Sequence, residues 1–298
     1  MGDITKLSTE QRNPNTFDID KLSTLEMVEL INKEDRAVID AVESAKESIA
    51  KAIDIIYDAI VSGGRLIYMG AGTSGRLGVL DASEWFPTYG VGSESVLGII
   101  AGGDHALRNP IEGAEDYESY AVDDLKAINL SDKDVVFAIT SSGRTPYCVG
   151  ALKYGIEMGA KTISLANVKN SEIGKYADIA IEAVSGPEVV TGSTRMKAGT
   201  TQKLVLNIIS TSTMIKYGKV YENLMVDVHP VNQKLILRAQ SIIREATGVD
   251  EARSIELLKE SKNNVKAAIV MAKCDLTLEL AQARLKAHKG RIQDAISI

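Results

Sequence analysis

The chain has 298 residues, of which 45% are hydrophobic and 25% are charged, and its formal net charge is −6 at pH 7. This length allows one large or two ordinary domains, and the composition is that of a soluble globular protein. The negative charge does not favour nucleic acid or an anionic membrane as a partner, although a local cluster of backbone N–H groups can still bind a small anion.

The sequence indicates a cytoplasmic protein. Residues 1–20 are polar and lack the apolar core of a signal peptide, and no apolar run approaches the length of a membrane span. The two cysteines, Cys148 and Cys274, are far apart and match no metal-ligand spacing. We therefore expect a reducing compartment, no disulfide framework and no metal site.

The first 184 residues predict helices followed by an α/β sheet. Residues 1–20 are predicted to be an irregular arm, and the apolar spacing that follows predicts one or two long amphipathic helices ending at Gly63 and Gly64. Five short apolar runs then alternate with helix-length segments, at 65–69, 95–100, 134–140, 162–167 and 178–184. Such runs predict strands buried on both faces, and hence a doubly wound parallel five-stranded sheet.

The remainder of the chain predicts helices only. One long helix is expected within residues 191–218. From about Val231 onward we expect helices only, with three short helices in the segment 242–288 and breaks near Thr247-Gly248 and Asn263-Asn264. The predicted organisation is therefore a sheet-containing domain with an N-terminal helical arm at 1–230, followed by a small all-helical domain at 231–298.

A glycine-rich turn, "GAGTSGR" at residues 70–76, follows the first predicted strand and begins a predicted helix. Glycines let the backbone approach a ligand, and the free N–H groups of the helix start favour a phosphate, with Gly72, Thr73 and Ser74 as the candidate ligands. Gly70, Gly72 and Gly75 also match the G-x-G-x-x-G spacing of dinucleotide-binding folds. This turn alone leaves open a phosphate, a dinucleotide or no ligand.

A second turn of the same kind, "TSSGRT" at residues 140–145, follows the third predicted strand. It offers the hydroxyl groups of Ser141, Ser142 and Thr145. Turns that follow neighbouring parallel strands meet at one crevice, where open α/β sheets bind ligands. Two hydroxyl-rich turns fit a phosphosugar better than a dinucleotide.

The two turns resemble those of the sugar isomerase (SIS) superfamily. The segments "GAGTSGRLGVLDASE", "IIAGGDHAL", "EGAED", "GSTRMKAGTTQK", "MVDVHPVNQKLILRA" and "TEQRNPNT" resemble the N-acetylmuramic acid 6-phosphate etherase family within it, over nearly the whole chain. The resemblance implies the SIS fold. The C-terminal segment resembles the small ubiquitin-associated-like (UBA-like) helical domain that ends the proteins of that family.

The resemblance also implies an activity. It is cleavage of the D-lactyl ether of N-acetylmuramic acid 6-phosphate, by elimination and then water addition, in amino-sugar catabolism and peptidoglycan recycling. This chemistry needs a base at C2 and an acid at the departing oxygen, and neither a metal nor a redox cofactor. By motif position Glu84 corresponds to the proton donor and Glu115 to the second catalytic residue, as the base, although the opposite assignment stays open. Lys197 is a candidate partner of the phosphate or the lactyl carboxylate.

The position of Glu84 has two explanations. If residues 74–84 form one straight helix, Glu84 lies about 15 Å from the helix start. Either the helix breaks near Gly78, or Glu84 serves a site completed by another subunit. We favour a homodimer with the active site near the subunit interface. A bound phosphate would also disfavour ionisation of Glu84 and help to keep it a proton donor.

Two other functions remain open at this point. A phosphosugar aldose–ketose isomerase also needs a base at C2, but needs no acid at a C3 ether. A sugar-phosphate-sensing regulator would bind the ligand without chemistry, as the related glucokinase regulatory protein does. In either of these cases Glu84 and Glu115 are interpreted as ordinary surface charges.

Overall fold

The computed structural model describes residues 8–228 and 230–297, and the chain divides into two compact units. The first unit takes in residues 1–83 and 93–210, and the second takes in 84–92 and 211–298. The predicted division into domains at 1–230 and 231–298 stays a prediction. His229, which falls in one of the quoted motifs, and residues 1–7 of the predicted arm lie outside the described residues.

Five parallel strands form the sheet of the first unit. They are β1 (Leu66–Gly70), β2 (Val96–Ile100), β3 (Val135–Thr140), β4 (Lys161–Ala166) and β5 (Ile179–Glu182). Their spatial order is β2-β1-β3-β4-β5, with every pair parallel. Each strand lies within two residues of a predicted apolar run, so the predicted parallel sheet is confirmed.

The helices of the first unit partly differ from the prediction. Three consecutive helices, α1 (Thr24–Asp35), α2 (Ala37–Ser44) and α3 (Lys46–Val61), replace the predicted one or two. The backbone of Ala45, with φ −103° and ψ 2°, leaves helical geometry between α2 and α3. Further along the chain come α4 (Gly72–Tyr89), α5 (Glu118–Ala127), α6 (Pro146–Glu157) and α7 (Lys197–Lys216). The long helix predicted within 191–218 is α7.

Helices cover both faces of the sheet, as a doubly wound fold requires. On one face, Ile67 and Met69 of β1 pack in an apolar cluster with α5 and α6. On the other face, the Tyr68 hydroxyl donates a hydrogen bond to Asp81 of α4 at 3.0 Å. A Cβ on Gly78 would lie 2.9 Å from the Tyr68 Cβ, so the absence of a side chain lets α4 pack directly on β1.

The start of β3 is fixed by a buried carboxylate, that of Asp134. It accepts hydrogen bonds from the Arg65 N–H at 2.9 Å, from the Arg65 guanidinium at 2.7 and 3.1 Å, and from the Ser131 N–H at 3.0 Å. Burial alone would raise the pKa of Asp134, but the bonds from Arg65 and Ser131 outweigh it and the pKa lies below its ordinary value. Asp134 thereby joins the segment before β1 to the segment before β3.

The second unit is helical apart from a short hairpin, β6 (Val220–Tyr221) and β7 (Leu224–Met225). Its later helices are α8 (Gln233–Thr247), α9 (Glu251–Glu260), α10 (Val265–Cys274), α11 (Leu278–Ala287) and α12 (Ile292–Ile296). The breaks predicted near Gly248 and Asn263 are present, and both residues have a positive φ. Two further breaks were not predicted: Asp275 takes φ 53° before α11, whose start Thr277 caps, and Lys289 takes φ 53° before α12.

An ion-pair cluster joins the hairpin to α10 within the second unit. The Asp227 carboxylate lies 2.9 Å from the Lys219 Nζ and 2.7 Å from the Lys266 Nζ. Burial lowers the pKa of Lys266, although Asp227 acts in the opposite direction. Across the described parts of both units, no helix is long and apolar enough to cross a membrane.

Candidate active site

The first predicted anion turn joins β1 to α4. Gly72, with φ +54°, begins the helix, and the first N–H groups of a helix have no partner within it. A Cβ on Gly75 would lie 2.5 Å from the Gly70 carbonyl oxygen and 2.7 Å from the Ile100 Cγ1, so the helix start packs too closely for any side chain there. Ser74 is buried in this turn. The sequence therefore presents the N-terminus of α4 at the carboxyl end of β1, as predicted.

The second turn joins β3 to α6 and is held by its own hydroxyl groups. The Thr140 and Thr145 hydroxyls are 2.7 Å apart and hydrogen-bonded to each other. Ser142 Oγ accepts from the Arg144 N–H at 3.4 Å. Gly143 has φ +71°, which favours glycine in this turn. Because β1 and β3 are adjacent, both turns lie at the same edge of the sheet.

The first turns of α7 contact both anion turns. A Cβ on Gly199 would lie 3.3 Å from the Thr73 methyl, so Thr73 packs against the start of α7. Three residues further along α7, the Gln202 Nε2 donates to the Ser141 Oγ at 3.1 Å and to the Asn167 Oδ1 at 3.0 Å. The structure thus links Thr73 and Ser141, which come from different turns, through one helix.

Lys197 is buried at the start of α7. Its Nζ lies 3.2 Å from the Glu34 carboxylate, which also accepts from the Asn13 and Asn15 side-chain amides at 2.6 and 2.9 Å. Burial acts to raise the pKa of Glu34, but these three partners outweigh it and the pKa lies below its ordinary value. Lys197 therefore takes part in an internal ion pair, and its role as a substrate ligand stays a prediction.

A buried carboxylate occupies the N-terminus of α7. Glu188 accepts hydrogen bonds from the Lys197 and Ala198 N–H groups, each at 2.9 Å. Burial raises the pKa of Glu188 above its ordinary value, even though these two bonds favour the charged form. This helix start is thus capped from within the chain.

Glu115 and Gly72 line one cavity of about 340 Å³. The cavity is lined by Ala71, Gly72, Arg76, Ala101, Ala106 and residues 110–116. The peptide oxygen of Glu115 accepts from the Tyr147 N–H at 3.0 Å, which ties this segment to the start of α6. Although the residue is exposed overall, desolvation of its carboxyl raises the pKa of Glu115, and repulsion from Asp116 adds to the shift. The structure therefore brings the first anion turn and one predicted catalytic carboxylate together.

Arg76 supplies a positive charge to the same cavity. Its guanidinium donates to the Ala106 oxygen at 2.7 Å and to the Leu107 oxygen at 2.9 Å. These bonds hold the short 3₁₀ helix at 104–107 beside the cavity. A fixed guanidinium and a helix N-terminus at one cavity are both favourable for an anion.

Cys148 lies close to Glu115 but is not available as a nucleophile. The side chain is completely buried, and its Sγ donates to the Ile139 oxygen at 3.4 Å. Burial, with a smaller contribution from the Glu115 charge, raises the pKa of Cys148 to about 12. The thiol stays protonated at neutral pH.

Glu84 is exposed on α4, in the segment that belongs to the second unit. The helix is continuous from Gly72 to Tyr89, so the predicted alternative of a break near Gly78 is wrong. Gly78 serves instead as the close contact with β1 described above. The catalytic role of Glu84 stays a prediction.

Three site residues were missed by the sequence reasoning: Asn167, Glu188 and Gln202. Two of them carried a signal. Gln202 lies in the quoted segment "GSTRMKAGTTQK", and Asn167 is a polar residue directly after a buried strand. Among residues 8–228 and 230–297, no group of three or more His, Cys, Asp or Glu side chains is arranged to hold a metal ion.

Two family models match residues that lie mostly in the first unit. A model described as the glucokinase regulatory protein N-terminal SIS domain matches residues 48–156, and one described as the SIS domain matches residues 114–212. Among solved structures, a phosphoheptose isomerase from Francisella tularensis superposes with a TM-score of 0.53 at 16% identity, covering 65% of this chain and 100% of that one. At this identity the likeness shows the SIS fold alone.

Curated relatives match almost the full length. The N-acetylmuramic acid 6-phosphate etherase of Lactobacillus acidophilus is 51% identical over 294 residues, 99% of each chain. The protein of the same name from Actinobacillus pleuropneumoniae serotype 5b is 53% identical over 293 residues, 98% of this chain and 96% of that one. The chain belongs to the N-acetylmuramic acid 6-phosphate etherase family.

Proposed function

We propose that this protein cleaves the D-lactyl ether of N-acetylmuramic acid 6-phosphate, giving N-acetylglucosamine 6-phosphate and D-lactate. The full-length relatives support this substrate. The observation that carries the proposal is the cavity in which Gly72 of an anion turn and the Glu115 carboxylate meet. The reaction belongs to amino-sugar catabolism and peptidoglycan recycling, in the cytoplasm.

The proposed reaction divides between two carboxyl groups. The open-chain aldehyde acidifies the C2 proton, which the Glu115 carboxylate removes; the C2–C3 double bond forms as the C3–oxygen bond breaks. Glu84 protonates the departing oxygen, and D-lactate leaves. Water then adds at C3 and a proton returns to C2. The raised pKa of Glu115 suits either role, because it strengthens a base and also keeps an acid protonated, so the pH dependence of the rate decides between this assignment and its reverse.

The phosphate is proposed to bind at the two anion turns. Gly72, Thr73 and Ser74 offer the N-terminus of α4, and Ser141 and Ser142 offer hydroxyl donors from the adjacent turn. The remaining two members of the proposed set are Thr145 and Lys197. Their polar groups are engaged by Thr140 and Glu34, so we propose that they shape the site around the phosphate.

The activity test follows D-lactate release from N-acetylmuramic acid 6-phosphate. We expect release by the wild type, and its loss in Glu84→Gln and Glu115→Gln variants that keep the wild-type far-UV circular dichroism. Binding of the phosphosugar without lactate release would contradict the etherase. In that case conversion of an aldose phosphate to a ketose phosphate would indicate an isomerase, and binding alone a sensor.

The homodimer is proposed from helix α1. Within α1, whose twelve residues are all described, no side chain is buried. Leu25 is 66% exposed and Val28 is 58% exposed, on one face of the helix. Apolar side chains left exposed on this face of the helix favour a second copy of the chain as their partner. An active site near that interface would explain how Glu84 can take part in the reaction although it lies three helical turns beyond the first anion turn.

A Leu25→Glu/Val28→Glu variant is expected to shift the protein from a dimer to a monomer of 32.1 kDa, because two charges would have to be buried at the interface. Light scattering after size exclusion measures the mass. Lys33→Glu is the control, since it changes the net charge by the same −2 at an exposed polar position of α1. Full D-lactate release by the monomer would contradict a shared site, and an unchanged dimer would contradict the interface.

A further inference from the structure

Gln202 is a completely buried amide between two segments that follow neighbouring strands. Its Nε2 donates to the Ser141 Oγ at 3.1 Å, in the turn after β3, and to the Asn167 Oδ1 at 3.0 Å, directly after β4. The Asn167 backbone N–H also donates to the backbone carbonyl oxygen of Ser141, at 3.2 Å. Both protons of the Gln202 amide are therefore used to hold these two segments together.

In this series of hydrogen bonds, the buried carbonyl group of Ala183 determines which group donates in each bond. The Asn167 Nδ2 donates to the Ala183 oxygen at 2.9 Å, and a carbonyl oxygen can only accept. The Asn167 Oδ1 must therefore face Gln202, which requires a donor there, so the Gln202 Nε2 and not its Oε1 faces Ser141. The Ser141 hydroxyl oxygen is consequently an acceptor in this contact.

An accepting hydroxyl keeps its own proton for another partner. No acceptor for the Ser141 proton exists among residues 8–228 and 230–297 at hydrogen-bond distance, and Ser141 is only half-buried. The fold also leaves the Gln202 Oε1 buried with no partner in the described part of the chain, which is an unfavourable arrangement. The unpartnered Gln202 Oε1 is consistent with selection for an amide that turns its Nε2 donor toward Ser141.

We propose that Gln202 is a positioning residue which, held by Asn167, orients the Ser141 hydroxyl as a hydrogen-bond donor to the phosphate of the substrate. This inference rests on the proposed function, because it assumes a phosphosugar at the second anion turn. Gln202 itself makes no contact with the ligand in this account. It excludes the other orientation of the Ser141 hydroxyl, in which the proton points into the protein.

The test compares phosphate binding in Gln202→Glu with binding in the wild type. Glutamate has the same shape but presents an acceptor, so the Ser141 proton would turn inward and the phosphate would lose a donor. We expect the Kd for inorganic phosphate and for N-acetylglucosamine 6-phosphate, measured by calorimetry, to rise roughly tenfold to a hundredfold, the range for a hydrogen bond to a charged group. Thr200→Glu, an exposed position of α7, controls for the added charge.

A double-mutant cycle with Ser141→Ala separates positioning from general damage. If Gln202 acts through Ser141, Gln202→Glu should raise the Kd of the Ser141→Ala protein no more than Thr200→Glu does. An equal effect in both backgrounds would contradict the proposal, as would wild-type binding by Gln202→Glu. Should that variant fail to fold, Gln202→Met removes the donor without adding a charge and enters the same cycle, with a smaller expected rise in Kd.

These outcomes are distinguishable from failure of the proposed function. Binding needs no turnover, so a wild type that binds the phosphosugar but releases no D-lactate would contradict the etherase and leave the cycle interpretable. A wild type that releases D-lactate, with additive effects in the cycle, would contradict only the role of Gln202.

Discussion

Replacing Glu115 with glutamine is expected to lower kcat for D-lactate release by about 10²–10⁴-fold, the usual contribution of a general base. Glutamine keeps the size of the side chain and cannot accept the C2 proton. The backbone contact between the Glu115 oxygen and the Tyr147 N–H does not depend on the side chain, so the fold should be unchanged. Initial rates at saturating substrate measure the loss.

The pH dependence of kcat/KM identifies the role of Glu115. Its pKa is raised above 4.5 by desolvation and by Asp116. A base must be deprotonated, so the rate should fall as pH falls through this raised pKa, at a higher pH than an ordinary glutamate would give. Asp116→Asn is the control, because it removes one cause of the shift and should move this acid limb to lower pH with little change in the maximum rate. A rate that falls as pH rises through the same pKa would make Glu115 the acid.

Replacing Asp134 with alanine is expected to destabilise the first unit by about 3–5 kcal/mol, the range for breaking a buried ion pair by removing one partner. The variant leaves the Arg65 and Ser131 backbone N–H groups without their acceptor. The Arg65 guanidinium loses its charged partner and keeps only the carbonyl oxygens of Ile128 and Asn129 as acceptors. Urea unfolding followed by far-UV circular dichroism measures the change. Asp132→Ala, two residues away and exposed, should change the free energy of unfolding by less than about 0.5 kcal/mol.

The loss of unfolding free energy in the Asp134→Ala variant should depend on pH in a defined direction. The folded-state pKa of Asp134 is lowered from 3.8, so its contribution is fully present above that value and is lost as pH falls through the folded pKa. The difference between wild type and variant should therefore be largest near neutral pH and should shrink as the pH falls below 3.8 toward the lowered folded-state pKa. A difference that grows in acid would contradict the ion-pair account.

The sheet could be predicted from the sequence because its signal is local. The part of this run from Val135 onward is entirely buried as β3, and no polar residue interrupts it before Thr140. The helix breaks were less predictable. The break at Gly248 is predicted by the residue type alone. Asp275, by contrast, takes a left-handed conformation that aspartate tolerates only in a suitable context. The break at Asp275 was missed for this reason.

The candidate site was only partly predictable, because its geometry depends on long-range contacts. The two anion turns have local signatures, a strand followed by glycines and hydroxyls. By contrast, Gln202 acts on residues 61 and 35 positions away, and Lys197 pairs with a glutamate 163 positions away. No spacing rule connects such residues. Lys197 was predicted as a partner of the phosphate or the lactyl carboxylate, and its internal partner Glu34 could not be foreseen.

The rates at which the two native cysteines are alkylated can report local opening of the fold. Cys148 belongs to the first unit and Cys274 to the second, and both are free thiols. A completely buried thiol with its pKa raised to about 12 reacts with an alkylating reagent only after the start of α6 has opened. The labelling rate of Cys148 therefore measures the free energy of that opening without any introduced probe. Cys274 is only partly buried, so it reacts without such an opening and supplies a reference rate within the same chain.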